Sequence, residues 1–301
     1  MPSTVAPNNS SAFVIDHQLR RRLLAAAEIL SQAGVDSPRL TAEVLLAHTL
    51  GLTRAQLLAR PDQSLSPEQQ ARYTALIDRA AAGEPLAYLT GVREFHGLEF
   101  AVDARVLVPR PETELLVDLA LDFLNTENAE NTEKKVLDVG TGSGCIAVTI
   151  AVKHPAASVT ATDISEDALA VARANAARHG VAQRIAFFRS DLLSSFRLLP
   201  ASFDLITANL PYIASDELCA LPVAKHEPRL ALDGGPDGLL WIRRLLVDAP
   251  RALKPGGLLL LEIGATQGAT VTALAQAAFP QGRITLHRDL AGLDRVVSIA
   301  V

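Results

Sequence analysis

Cysteine is scarce in this sequence, with only Cys145 and Cys219 among 301 residues. Two cysteines so far apart provide neither a disulfide framework nor the Cys-x-x-Cys pairs of a metal cluster. Long apolar runs are also missing, and none approaches the ~20 residues of a membrane span. The first 15 residues hold no Lys or Arg and no apolar core, so we expect no signal peptide. These absences predict a soluble cytoplasmic protein without a metal site or a membrane partner.

A surplus of positive charge is missing as well. Lys and Arg number 28 against 33 Asp and Glu, which gives a formal net charge of −5 at neutral pH. Proteins that bind DNA or RNA generally carry a basic face, so this balance argues against a stable nucleic-acid partner. The chain is 49% hydrophobic and 20% charged, which is typical of a globular protein. Its length allows one large domain or two smaller ones.

The first third of the chain divides into three segments by pattern. Residues 1–15 are polar and contain prolines, so we expect them to be disordered. Apolar residues at helical spacing fill 16–84, where Ser37-Pro38 and Ser66-Pro67 have the form of helix starts. This predicts a small helical domain with no candidate catalytic cluster. Glycines and alternating apolar residues in 85–110 indicate a β-hairpin that connects it to the remaining chain.

Residues 111–301 alternate between strand and helix patterns after a polar linker at 126–134. Such alternation predicts an α/β fold, a doubly wound and mostly parallel sheet of seven strands with helices on both faces. The last two strands have only a short turn between them, so we expect an antiparallel hairpin at the sheet edge. The predicted strands are 135–139, 158–162, 184–189, 203–208, 257–263, 283–287 and 295–300. A helix is predicted to begin at Pro111 and to carry Leu115, Leu116, Leu119 and Phe123, and those after the linker are 143–153, 165–179, 237–253 and 266–277.

The stretch Asn209-Leu210-Pro211-Tyr212 comes directly after the predicted buried strand 203–208. Pro211 favours an extended backbone at Leu210, so the Leu210 carbonyl can point outward beside the Asn209 side-chain oxygen. Two neighbouring acceptors suit a planar NH₂ group, and Tyr212 adds a flat apolar face. These residues are therefore candidates for catalysis and substrate binding. A turn that merely ends the strand is the alternative, because Asn and Pro are both turn residues.

A glycine-rich turn, Gly140-Thr141-Gly142-Ser143-Gly144, connects another predicted strand to a helix. Its glycines let the backbone approach a ligand closely, and the helix start presents N–H groups to negative charge. Dinucleotide-binding loops have the spacing Gly-x-Gly-x-x-Gly, so the turn argues against an NAD-dependent dehydrogenase. Its Gly-x-Gly-x-Gly spacing resembles the first motif of S-adenosylmethionine-dependent methyltransferases.

Two acidic residues end the next two predicted strands. Asp163 can accept hydrogen bonds from both hydroxyls of a ribose, and Asp191, followed by Leu192, can meet the edge of an adenine. Strand ends of this kind meet at one edge of an open α/β sheet, where ligands bind. The simpler alternatives are a helix N-cap for Asp163 and an ordinary loop acid for Asp191.

Four blocks together resemble one family. Asn209-Leu210-Pro211-Tyr212 is similar to the Asn-Pro-Pro-Tyr motif of methyltransferases that act on planar nitrogens, with Leu210 replacing the first proline. With the segments 108–114, 227–238 and 289–295 and the helical N-terminal part, it resembles the HemK/PrmC family, the peptide-chain release factor glutamine N5-methyltransferases. The resemblance runs from about residue 16 to the C-terminus.

The resemblance implies a Rossmann-like class I methyltransferase domain, with substrate docking by the helical domain. It implies S-adenosylmethionine as the cofactor and, as the substrate, the glutamine of the Gly-Gly-Gln loop in release factors. The implied cofactor-binding residues are Gly140, Thr141, Gly142, Ser143, Gly144, Asp163, Asp191, Leu192 and Asn209. The implied substrate-binding residues are Asn209, Leu210, Pro211, Tyr212, Arg110 and Glu112. Arg110, Glu112 and Glu114 are candidates to close over the substrate or to brace the Asn209 loop, and helix capping is the alternative for the two glutamates.

Other functions stay open on the sequence alone. A methyltransferase acting on another protein glutamine, for example in a ribosomal protein, would have the same site. One acting on the exocyclic amino group of a nucleic-acid base would share the Asn209 chemistry, but it would flip the base into the pocket and have a basic groove. The presence of both Asn209 and Tyr212 argues against a regulator that binds the cofactor without catalysis.

Overall fold

The computed structural model describes residues 18–60, 64–125, 133–196 and 201–301. The predicted disordered start 1–15 and most of the predicted linker 126–134 lie outside these ranges. Contacts between Cα atoms divide the chain into two compact units, Met1–Thr90 and Gly91–Val301. In the described ranges, no helix combines the length and the apolar composition needed to cross a bilayer.

The described part of the first unit is helical, as predicted. Its helices are α1 (Gln18–Gln32), α2 (Pro38–Leu50), α3 (Arg54–Leu58), α4 (Pro67–Ala81) and α5 (Leu86–Thr90). The short helix α5 was not expected, because its five residues are fewer than a periodic pattern needs. The core of this unit packs leucines from α1, α2 and α3 around Tyr73 and Ile77 of α4.

The two Ser-Pro signals in this unit behave differently. Ser66 accepts a hydrogen bond from the N–H of Gln69, and the Gln69 side chain accepts one from the N–H of Ser66, which makes a capping box. The expectation for Ser37 was wrong: it has φ 52, in the left-handed region, and its side chain caps nothing. Because Ser37 makes no cap hydrogen bond, Pro38 at the first helical position is the start signal that α2 keeps.

The second unit begins with a hairpin and continues as the predicted α/β fold. The hairpin strands are β1 (Val92–Phe95) and β2 (Leu98–Ala101), paired antiparallel. The other strands are β3 (Lys134–Val139), β4 (Ala157–Asp163), β5 (Ile185–Arg189), β6 (Phe203–Ala208), β7 (Leu253–Glu262), β8 (Arg283–Arg288) and β9 (Asp294–Ala300). Its helices are α6 (Glu114–Leu124), α7 (Cys145–Lys153), α8 (Glu166–Arg178), α9 (Ser215–Leu218), α10 (Leu240–Ala252) and α11 (Gly268–Ala278).

The large sheet of the described chain has seven strands in the order β5-β4-β3-β6-β7-β9-β8. The pairs from β5 to β7 are parallel, whereas β9 pairs antiparallel with both β7 and β8. The predicted mostly parallel sheet with an antiparallel hairpin at its edge is therefore confirmed. The chain winds outward from β3 to β5 and then returns to place β6 on the other side of β3. The strand order reverses at this point, which is where open α/β sheets bind ligands.

Both faces of this sheet are covered by helices. Alternate residues of β3 and β6 enter different cores, with Val136 and Leu205 on one side and Leu137 and Ile206 on the other. The first core is completed by α6, α7 and α8, and the second by α10 and α11. Burial on both faces explains why these strands are nearly continuous apolar runs.

Several boundaries differ from the prediction by a few residues. Helix α7 begins at Cys145 because Gly144 has φ 81, and α10 begins at Leu240 after Gly238 with φ 72. A positive φ interrupts a right-handed helix, so these glycines mark the true starts. Strand β7 begins at Leu253, earlier than predicted, and its pairing with β6 shifts register between Phe203 and Leu205.

Candidate active site

A cleft opens at the carboxyl ends of β3, β4, β5 and β6 in the second unit. Its volume is about 1100 Å³, which includes the space at its mouth that is open to solvent. The loop after β3 and the residues after β6 meet in its lining. Most of the site residues predicted from the sequence line this cleft: Arg110, Gly140, Thr141, Gly142, Ser143, Asp163, Asp191, Leu192, Asn209, Leu210 and Pro211. Gly144, Glu112 and Tyr212 are outside this lining.

The glycine loop is held against both neighbouring strands. The N–H groups of Gly140 and Thr141 donate to the Thr162 carbonyl at 2.9 and 2.8 Å. Gly140 has φ 74, a left-handed conformation that favours glycine, and a Cβ atom there would also be in tight contact with Cδ2 of Leu210 at 3.1 Å. Leu210 itself is 4% exposed and packs into the core on the α10 side of the sheet.

Asp138 lies behind the loop and is completely buried. It accepts hydrogen bonds from the hydroxyls of Thr141 at 2.7 Å and Thr207 at 2.8 Å. Burial raises the pKa of Asp138 to about 6, although these two hydroxyls oppose the rise. This carboxyl group thereby connects the glycine loop to β6 and fixes the floor of the cleft.

Asp163, at the end of β4, holds two backbone segments at once. Its Oδ2 accepts from the N–H of Gly142 and its Oδ1 from the N–H of Ser165, both at 2.9 Å. The N-cap of α8 is Ser165, whose Oγ accepts from the N–H of Ala168, so Asp163 is not the cap. Burial raises the pKa of Asp163 although its backbone hydrogen bonds oppose the rise. A carboxylate has about four acceptor positions, so not all of them are taken by the backbone, and ligand hydroxyls can be received.

Asp191 and Leu192 form the side of the cleft after β5. Asp191 Oδ2 accepts from Arg244 Nη2 at 2.7 Å, and the Arg244 guanidinium lies 5.1 Å from the centre of the Trp241 ring. Leu192 has φ 49, which is unusual for a bulky residue, and its carbonyl accepts from Ser190 Oγ at 2.9 Å. The backbone here thus takes a left-handed conformation at Leu192, which the Ser190 hydroxyl braces.

The Asn209 side chain is oriented by a residue from a distant part of the sequence. Its Nδ2 donates to Oγ1 of Thr113 at 3.1 Å, and Thr113 is 2% exposed. Its Oδ1 accepts no hydrogen bond from any residue that the structure describes. The amide therefore presents its oxygen, rather than its NH₂ group, to possible partners.

Tyr212 lies just beyond the lining of the cleft. Its carbonyl accepts from Gln267 Nε2 at 2.9 Å, while Gln267 Oε1 accepts from the N–H of Gly264. A Cβ atom at position 238 would clash with this carbonyl, so only glycine fits there. Burial, with a smaller contribution from Glu262, raises the pKa of Tyr212 to about 12. The Asn209-Tyr212 segment is thus fixed at both ends.

Arg110 and Glu112 occupy different environments. Arg110 Nη2 donates to Oε1 of Glu227 at 2.6 Å, and Oε2 of Glu227 accepts from the N–H of Val108 at 3.0 Å. Glu227 is 4% exposed, so Arg110 is anchored on the lining by a buried acid. Glu112 is exposed, and Glu114 accepts from the N–H of His96 at 2.9 Å and so braces the β1-β2 turn.

Sequence reasoning gave no individual role to four residues of this region, Thr113, Glu227, Trp241 and Glu262, although the run 227–238 was expected to line the same rim. Trp241 lines the cleft and donates from Nε1 to the Asp233 carbonyl at 2.8 Å. Glu262 gave a signal that was overlooked, because it is an acid that directly ends the apolar run Leu258-Leu259-Leu260-Leu261. Thr113 gave none, since a threonine in a first helical turn is ordinary.

Two family models match this chain. The PrmC N-terminal domain matches residues 23–91, and the methyltransferase small domain matches residues 114–225. Among solved structures, the human METTL16 catalytic domain in complex with the MAT2A 3'UTR hairpin 6 has a TM-score of 0.52 at 16% identity, over 78% of this chain and 82% of that one. The N-terminal domain of human METTL16 in complex with SAH has a TM-score of 0.50 at 15% identity, over 67% and 75%. At such low identity these structures show the methyltransferase fold alone.

Curated relatives cover nearly the whole chain. The release factor glutamine methyltransferase of Moorella thermoacetica is 46% identical over 92% of this chain and 96% of its own length. The enzymes of that name from Cereibacter sphaeroides and Deinococcus radiodurans are 45% and 43% identical, over 92% and 93% of this chain and 96% and 97% of their own lengths. Because identity at this level extends through both units, the chain belongs to the release factor glutamine methyltransferase family.

Proposed function

We propose that this protein transfers the methyl group of S-adenosylmethionine to the side-chain amide nitrogen of a glutamine in a peptide-chain release factor. The names of its relatives indicate the substrate protein, and the glutamine of the Gly-Gly-Gln loop is the acceptor that we infer. The observation that carries the proposal is the Asn209 amide, which is fixed with its oxygen outward in a cleft shared with the glycine loop.

The residues around the cleft fit the proposed cofactor. Gly142 has open space where a Cβ atom would be, so a ligand can contact the backbone there. Asp163 retains acceptor positions for ribose hydroxyls, and Asp191 with Leu192 forms a wall for the adenine. When bound, S-adenosylmethionine supplies a methyl group activated by its sulfonium.

The acceptor nitrogen needs help because its lone pair is delocalised into the amide carbonyl. The Asn209 Oδ1 and the Leu210 carbonyl can accept both N–H groups of the incoming carboxamide and so aim its nitrogen. They also stabilise positive charge that develops on the nitrogen during attack. Holding the two reactants in line supplies much of the remaining rate enhancement. The proton leaves the acidic N-alkylated amide after transfer.

The other predicted residues have supporting roles in this proposal. Pro211 lines the cleft, and Tyr212 next to it is proposed to pack against the plane of the carboxamide. Arg110, anchored by Glu227, gives the rim a fixed shape, whereas the exposed Glu112 is available to the partner protein. We further propose that the enzyme acts in the cytoplasm, in translation termination, and that its helical unit docks the release factor.

Labelled S-adenosylmethionine tests the proposal directly. The protein is incubated in parallel with a release factor, with the same factor carrying Ala in place of the Gly-Gly-Gln glutamine, with ribosomal proteins and with DNA. We expect label in the unaltered release factor alone. Label that persists in the Ala variant would place the modification elsewhere, and label in DNA or a ribosomal protein would favour the other substrate classes.

A further inference from the structure

Glu262 is a buried acid with no role in the chemistry described above. It is the last residue of β7 and is 1% exposed. Ala208 of β6 pairs with Leu261 of β7 in a parallel register, so the next step along both strands brings Asn209 beside Glu262. The acid therefore lies directly behind the residue that faces the cleft.

The carboxyl group of Glu262 is not satisfied within the fold. Neither Oε1 nor Oε2 has a hydrogen-bond partner among the described residues. The Thr113 hydroxyl and the Asn209 amide are close enough to lower its pKa, but they do not reach hydrogen-bonding geometry. A buried carboxylate without a partner is costly, and natural folds rarely keep one unless it serves a function.

Charged and titratable neighbours approach Glu262 from several elements. Arg295 of β9 favours its ionised form, and Glu112 opposes it. Arg295 is also paired with Asp289 at 3.1 Å, so its charge is shared. Tyr212 and Cys145 both have raised pKa values to which Glu262 contributes. The net effect is dominated by burial, which raises the pKa of Glu262 to about 7.

We propose that Glu262 is a positioning residue that decides which end of the Asn209 amide faces the cleft. This inference rests on the proposed function, in which the Asn209 oxygen must accept from the substrate. The two ends of an amide are nearly equal in size, so packing alone does not choose between them. The choice has to come from the hydrogen-bond partners behind the side chain.

Those partners form a chain with one direction. Asn209 Nδ2 donates to the Thr113 hydroxyl, which must direct its own hydrogen elsewhere. An ionised carboxylate can only accept, so the negative charge of Glu262 turns that hydrogen towards itself and leaves a Thr113 lone pair for the Asn209 NH₂. The Asn209 oxygen then faces the cleft. A protonated, neutral Glu262 no longer turns the Thr113 hydrogen towards itself, which allows the order to reverse and the NH₂ group to turn outward.

This assignment predicts opposite effects of pH on turnover and stability. Turnover should fall as the pH drops through about 7, because protonated Glu262 no longer fixes Asn209. In the folded protein Glu262 keeps its proton up to a pH of about 7, whereas in the unfolded chain it loses the proton near its ordinary pKa of 4.5. The stability that protonated Glu262 contributes is therefore present at low pH and is lost as the pH rises through about 7.

Glu262→Gln and Thr113→Val test the inference with a full-length release factor between pH 5.5 and 9. We expect each variant to lower kcat about tenfold to a hundredfold, as losing an orienting partner does at metal sites. Cofactor affinity by calorimetry should change less than about twofold. The double variant should be no slower than the slower single variant, because both act through Asn209.

Glu262→Gln should also abolish the fall in rate near pH 7. It should unfold at a higher temperature than wild type at pH 8, but not at pH 5.

Asp204→Asn is the matched control, since Asp204 lies at the opposite end of β6 and accepts from Lys254 Nζ at 2.7 Å. It should lower the unfolding temperature and keep the wild-type pH profile of turnover. Wild-type kcat in Glu262→Gln, a persistent fall in its rate near pH 7, or multiplying losses in the double variant would each overturn the inference. A wild-type protein that is inactive on the release factor contradicts only the proposed function. In that case the unfolding temperatures still test whether the buried Glu262 is charged at pH 8. Equal unfolding temperatures of wild type and Glu262→Gln at pH 8 would overturn the inference.

Discussion

Two buried glutamates, one in each unit, have almost the same exposure and opposite surroundings. Glu43 of the helical unit is 2% exposed and accepts from Arg39 at 3.0 Å and from Arg54 at 2.7 Å. Glu262 at the end of β7 is 1% exposed and has no hydrogen-bond partner among the described residues. Burial by itself would raise both pKa values; at Glu43 the two arginines outweigh it and lower the pKa, whereas at Glu262 the pKa stays raised.

The contrast separates acids that support the fold from acids that support the site. An ion pair with complete hydrogen bonding lets the fold keep a buried charge at little net cost. A buried carboxyl group left without partners lowers stability, and strongly perturbed groups of this kind cluster at functional sites. Glu227 is intermediate, because one arginine and one backbone N–H satisfy it beside the cleft.

Replacing Asn209 should have the largest effect, because Asn209 is the residue through which Glu262 is proposed to act. Asn209→Ala should slow methyl transfer by on the order of 10²-fold or more, about 3 kcal/mol, while cofactor affinity is nearly unchanged. Single-turnover kinetics and calorimetry measure the two quantities. Asn175→Ala is the contrasting variant, since Asn175 donates to the carbonyls of Ala101 and Ser143 and should matter to unfolding temperature. Near-normal turnover in Asn209→Ala would refute its role.

Glu227→Gln should have an intermediate effect, because it should lower both the stability of the fold and the affinity for the release factor. Loss of the charge weakens the hydrogen bond from Arg110, so we expect about 2 kcal/mol less stability. The freed Arg110 side chain no longer holds the rim in shape, so KM for the release factor should rise several-fold while kcat stays within about twofold. Denaturant unfolding and steady-state kinetics provide these values. If kcat falls with an unchanged KM, Arg110 acts on the reacting atoms and the rim assignment is incorrect.

Glu43→Gln should have the smallest effect and should be confined to stability. Arg39 and Arg54 are 80% and 53% exposed, so water screens both ion pairs, and we expect a loss of about 1 kcal/mol. Since the pKa of Glu43 is lowered, its stabilisation is present at neutral pH and is lost as the pH falls through the folded pKa. This is opposite in sign to Glu262→Gln at pH 8. Thermal unfolding at pH 5 and pH 8 compares the two variants, and a stabilised Glu43→Gln would break the contrast.

Much of the second unit could be predicted because its local signals agree with one another. Strand β6 was predicted with its observed limits, since an apolar run ended by Asn-x-Pro leaves little choice of boundary. The predictions failed where local signals are weak. Helix α5 is too short to show periodicity, and the side chain of Ser37 does not cap although its sequence context favours it. Tyr212 belongs to the expected motif but lies just outside the lining of the cleft.

The sequence by itself determined the order of strands and helices, the glycine spacing after β3 and the tetrapeptide after β6. All of these depend on neighbouring residues, whose periodicity and backbone limits are readable along the chain. Only the tertiary structure decided that Thr113, Asn209 and Glu262 meet, and that Arg110 pairs with Glu227. Partners in a parallel sheet follow from the order of strands in space, and here β6 returns beside β3 while β9 inserts between β7 and β8. No local pattern encodes such neighbours, because the contacts form only when both faces of the sheet are buried together.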